Sequence, residues 1–198
     1  MMRRAFALFV GLLLSPTTVG AAELQAAAYA RYEAGLDSTL EARNPAALSL
    51  FLQANAARDS GASTRAIELY TRVLALVPDF TAAIRRRATE RVLAGDSRTA
   101  VSELRALVLR DASGYNHSAL AYALLNPAAG GPPNFADAGE ARTHALLAVG
   151  LDADDLMGWD SCWRVALAQS DTTLMRRSMQ ALQRLAPGSL PAWYAVLI

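Results

Sequence analysis

The sequence predicts an all-α fold made of stacked antiparallel helix pairs, and three observations predict it. Hydrophobic residues make up 53% of the 198 positions but aromatics only 7%, so alanine and leucine carry much of the core and favour closely packed helices. Apolar residues recur at helical spacing: Ala66, Tyr70, Val73 and Leu74 fall at i, i+4, i+7 and i+8, one face of a helix. That face then recurs along the chain. Gly61, Ala66, Tyr70, Pro78 and Ile84 are followed 34 residues later by Gly95, Ala100, Leu104, Ala112 and Ser118. The series resumes 41 residues on with Ala136, Ala141, Ala145, Ala153 and Trp159, and 34 further on with Ser170, Met175, Met179, Pro187 and Trp193. A single helical hairpin cannot bury its apolar face, whereas stacked neighbours can.

The elements follow in chain order. Residues 1–22 carry Arg3 and Arg4, an apolar run from Ala5 to Leu14, and the small residues Ala21 and Ala22. This is the three-part pattern of a signal peptide, and cleavage is expected near Ala22. The run is shorter than a bilayer-spanning helix, so no stable membrane span is expected after cleavage. Arg3, Arg4 and Phe6 also fit twin-arginine export, although a plain Sec leader is the simpler reading. Residues 23–44 read as an N-terminal helix with Tyr29, Tyr32 and Leu36 on one face; Gly35 weakens it by up to about 1 kcal/mol relative to alanine. Asn44 and Pro45 then give an N-cap followed by proline at the first helical position.

The repeat region, 45–198, divides into units of about 47–80, 81–114, 115–155 and 156–188, with a partial unit at 189–198. Gly61 and Gly95 are expected in left-handed helix caps, Asp96 as an N-cap and Asp79 as another. The longer third step places about seven extra residues in the 126–135 stretch, where Gly130, Gly131, Pro132 and Pro133 force a loop. Arg87 and Arg91 fall at i and i+4 in slots that are apolar elsewhere; either their stems pack while the guanidinium groups reach water, or they form an ion pair or a polar groove contact. The far end is apolar, with Trp193, Val196, Leu197 and Ile198.

The step of 34 and its residues resemble the tetratricopeptide repeat family. Residues 61–78, GASTRAIELYTRVLALVP, echo that family's turn and second helix, and 159–166, WDSCWRVA, echo its first helix. The resemblance covers most of 46–198. It implies a right-handed α-solenoid whose first helices line a groove for a peptide or a partner helix. Carried over residue by residue, it places Asn55, Arg58, Arg85, Arg86, Thr89, Asn116, Asp160 and Arg164 on the groove side, and Trp193 in the partial unit joins them as a candidate contact. Tyr122 and Trp163 depart from the pattern, standing where the family has glycine or alanine, so their helix pairs are expected to splay or shift by a residue.

Chemistry is sparse. All 19 basic residues are arginine, which reads first as codon bias in a GC-rich bacterium, and a net charge of +1 makes no case for nucleic acid. Losing Arg3 and Arg4 would take that charge to −1. His117 and His144 lack a second ligand at metal spacing. Asp152, Asp154, Asp155 and Asp160 break the calcium-loop order and read as an inter-repeat turn with acid at a helix N-terminus. The glycine-rich 126–135 stretch lacks the lysine of a phosphate loop. The lone Cys162, between Trp159 and Trp163, is expected to be buried. No enzyme, metal or cofactor is therefore expected. The expected function is a periplasmic or secreted scaffold that binds a protein or peptide, in envelope biogenesis or secretion. The alternatives are a constitutive complex subunit docking through the apolar C-terminal helix, homo-oligomerisation included, and an unrecognised hydrolase.

Overall fold

A computed structural model describes residues 16–126 and 137–186, which contain nine helices and no strand. They are α1 (Pro16–Arg43), α2 (Pro45–Asp59), α3 (Ser63–Leu76), α4 (Thr81–Leu93), α5 (Ser97–Arg110), α6 (Gly114–Leu125), α7 (Ala138–Leu151), α8 (Leu156–Ala168) and α9 (Thr172–Leu185). Contacts divide the chain into two units, Met1–Gly35 and Leu36–Ile198, with the boundary inside α1. In the first unit, the described part of α1 reaches upstream of the expected start at Glu23. The partial repeat at 189–198, with Trp193, and most of the loop insertion lie outside the described residues.

In the second unit, α2–α3, α4–α5, α6–α7 and α8–α9 each pack as a pair, and each pair also packs on the next. The first helices additionally meet one another, α4 against α6 and α6 against α8; among the described residues no two second helices meet as extensively. The first helices thus form the tighter layer. The core runs between the layers through Leu40, Phe51, Tyr70, Leu104, Leu120 and Val165, all fully buried. Ala66, Ala100 and Ala141, which share one repeat position, are also fully buried. Their small side chains let the helices approach at that point.

Helix ends show how the sequence sets the register. Asn44 caps α2 by accepting from Ala47 N at 3.1 Å, with Pro45 at the first helical position. After α2, Gly61 adopts φ 76°, with Gly61 N donating to Arg58 O and Ala62 N to Ala57 O, both at 2.9 Å. That paired closure needs a left-handed residue, which glycine supplies without a Cβ clash. After α4, Gly95 repeats it at φ 89°, with Asp96 N donating to Arg91 O at 2.8 Å. After α8 the same closure falls on Ser170, at φ 54° the one non-glycine residue with positive φ among the described residues. Asp96, Asp155 and Asp171 cap α5, α8 and α9 through their side chains.

Three expectations meet their outcome here. Asp79 does not cap α4; Phe80 holds the N-cap position with no side-chain bond, and Asp79 instead pairs with Arg43. For Arg87 and Arg91 the ion-pair alternative holds. Both turn onto Glu103 of α5, Arg87 at 2.8 Å, and all three side chains are mostly buried. Around Tyr122 and Trp163, α6 still packs on α7 and α8 on α9, with Trp163 in the core.

Candidate functional site

The first helices carry a run of polar side chains tied to one another across the repeats. On α2, the Asn55 side-chain oxygen accepts from the Tyr70 hydroxyl and from Arg86 Nη1, each at 2.7 Å. One amide thus joins α2, α3 and α4. Arg86 is buried, with its guanidinium carbon 4.9 Å from the centre of the Phe51 ring, where a planar cation is attracted to the aromatic face. Burial pushes the Tyr70 hydroxyl up to about 12, against the lowering effect of Arg58 and Arg86, so it acts as a neutral donor. Arg58 pairs with its neighbour Asp59 at 2.8 Å.

The next repeat continues the pattern. Arg85 Nη1 donates to Asn116 Oδ1 at 3.2 Å, and the Arg85 guanidinium lies 5.1 Å from the Tyr115 ring centre. Asn116 itself is 0% exposed, and its Nδ2 donates to Asp111 O at 2.9 Å. With no surface of its own, it positions Arg85 and offers nothing directly to a partner. The Thr89 hydroxyl donates to Arg85 O at 3.1 Å. On α8, Asp160 and Arg164 form an i,i+4 pair at 2.7 Å, both half-buried. Every candidate from Asn55 to Arg164 therefore sits on a first helix. Arg58, Arg85, Thr89, Asp160 and Arg164 keep partial exposure, whereas Arg86 and Asn116 are interior supports. Trp193 lies outside the described residues.

Several polar residues went unread in the sequence. Glu90 is 2% exposed, and its Oε2 meets no hydrogen-bond partner. It lies within electrostatic reach of Tyr70 and of Tyr122, whose hydroxyl burial also holds above its ordinary value. Its place one turn after Arg86 was the available signal. His117 and His144 meet with Nδ1 atoms 2.8 Å apart, although 27 residues and the loop insertion separate them in the chain. Beside them Glu140 receives Arg105 at 2.8 and 2.7 Å, and that pairing holds its carboxyl below the usual range. Among the described residues no three His, Cys, Asp or Glu side chains gather to hold a metal ion, and no helix is long and apolar enough to cross a membrane. Cys162 is fully buried, which pushes its thiol up to about 12.

Among the described residues, eight helices in stacked pairs with a layer of first helices make a helical-repeat fold. The solved structure of MamA from Desulfovibrio magneticus RS-1, residue 41 to its end, is similar to this chain: TM-score 0.55, 17% sequence identity, 72% of this chain and 76% of that one covered. At that identity the likeness is one of fold. No protein-family model matches the chain, and no curated protein matches it in sequence.

Proposed function

We propose that the chain is a non-enzymatic scaffold that binds a protein or peptide partner on the layer of first helices. The observation that carries this is the row of part-exposed polar groups on α2, α4 and α8, with those on α4 and α8 held by neighbouring side chains. Asn116 and Tyr115 hold Arg85, and Asp160 holds Arg164. Side chains held in this way lose less freedom on binding, which favours affinity, and arginine suits carboxylate or backbone carbonyl acceptors. The helical-repeat fold shared with MamA supports an interaction role. Export to the periplasm or beyond, with a role in envelope biogenesis or secretion, rests on Arg3, Arg4 and the apolar run after them.

A photo-crosslinker at Arg85 in intact cells, with one at Leu109 of α5 as control, tests the reading. A discrete protein adduct from position 85 but not 109 is expected; adducts from 109 alone, or from neither, would contradict it. N-terminal sequencing of protein recovered from the periplasm tests export, with a mature start near Glu23 expected.

A second reading makes the chain a constitutive subunit of an envelope complex. The exposed leucines favour it: Leu109 is 87% and Leu151 61% exposed. Isolated surface leucines are ordinary, so this reading stands second. A purified chain that runs as a monomer at all concentrations would remove self-association from it.

A further inference from the structure

Where α6 meets α7, the rings of His117 and His144 lie 22° from parallel with centres 5.0 Å apart. Their Nδ1 atoms are at hydrogen-bond distance, 2.8 Å. Such a bond needs one Nδ1–H and one bare Nδ1, so the tautomers are complementary. The charged groups facing the pair are Glu140 on α7, 4.0 Å from His144 Nε2, and Arg105 on α5, which is already bound to Glu140. We propose that the His117–His144 pair is an acid-sensitive latch, holding α6 to α7 while at most one ring is protonated and releasing when both are.

The proton count gives the order of events. The first proton goes to the free Nε2 of whichever ring donates through Nδ1–H, and that bond survives. The second proton can only go to the bare Nδ1 of the other ring. Two N–H groups then face each other across 2.8 Å between two cations, and the contact opens. Burial lowers the affinity of both rings for protons, and for His144 the neighbouring His117 lowers it further. The folded state therefore takes up protons later than the unfolded state. The latch is intact above pH 6.5, the ordinary histidine value, and stability falls as pH drops below it. The helices affected are the pair that flanks the loop insertion.

Hydrogen exchange of the full chain between pH 7.5 and 5, corrected for intrinsic rates, tests the proposal. Exchange in α6 and α7 is expected to accelerate about tenfold or more as pH falls, with α3 and α4 much less affected. His144→Gln, which removes one titrating ring, should flatten that rise to less than about twofold. An equal rise in the variant, or a uniform rise across all helices, would overturn the latch. Should the variant fail to fold, NMR titration of the wild-type rings decides. Two linked titrations below the ordinary histidine value support the latch, and two independent titrations at that value overturn it.

Discussion

Ser170 holds a left-handed backbone that glycine holds at the two equivalent helix ends, Gly61 and Gly95. A side chain there costs about 1–2 kcal/mol of local strain. Ser170→Gly should therefore stabilise the chain by about 0.5–1 kcal/mol, since glycine's greater unfolded freedom returns part of that gain. Denaturant unfolding measures it, and a destabilised variant would contradict the strain reading. Cys162 makes a second residue-scale case. Its buried thiol, pushed up to about 12, should not react with an aromatic disulfide reagent at pH 8 until the protein unfolds; stoichiometric reaction of the native chain would contradict its burial. Both residues were partly legible. The register places Ser170 opposite the capping glycines, and the flanking tryptophans signalled that Cys162 is interior. The His117–His144 contact was not legible, because it depends on how the inserted loop returns the chain.

Among the elements, α4 and α5 are joined by two arginines on one acid. Glu103 Oε1 receives both Arg87 and Arg91, while Glu103 Oε2 and Arg87 Nε are buried without partners. Glu103→Gln would leave two mostly buried cations without their anion. A loss of about 2–4 kcal/mol is expected, toward the lower end of the cost of breaking a buried pair; a loss below 0.5 kcal/mol would show that solvent screens the cluster. The α7–α8 contact has a tighter constraint at Gly158. A Cβ there would lie 2.9 Å from Asp155 Oδ2, 3.0 Å from Val149 Cγ1 and 3.2 Å from Ala148 Cβ. Gly158→Ala should cost about 1–3 kcal/mol by overpacking, because the capping aspartate must move, and a stability measurement on the variant checks it. The Arg87 and Arg91 arrangement shows what spacing conveys and what it leaves out. Their i,i+4 spacing correctly put both on one helix face. Their shared acid lies 16 and 12 residues on, on another helix, and nothing local in the chain identifies it. Asp79 fails for a similar reason. Its position suits a cap, but Arg43, 36 residues upstream, draws it away.

At the scale of the molecule, each helix pair depends on its neighbours, so stability is a sum over interfaces. The repeat step was legible because it is written in residues with strict steric roles: glycine at left-handed turns and alanine where helices meet. The first-helix layer was legible as a set of positions. The roles within it were not, since hydrogen bonds across repeats divide Arg86 and Asn116 as supports from Arg85 and Arg164 as part-exposed groups. The central claim is a stack in register at Ala66, Ala100 and Ala141, because the position of every candidate contact depends on it. Thermal and denaturant unfolding of Ala100→Trp, beside Leu109→Trp as an exposed control, tests it most directly. The account predicts a loss of about 1–3 kcal/mol or more for Ala100→Trp and little change for Leu109→Trp. An Ala100→Trp chain as stable as the wild type would contradict the register and the stack built on it.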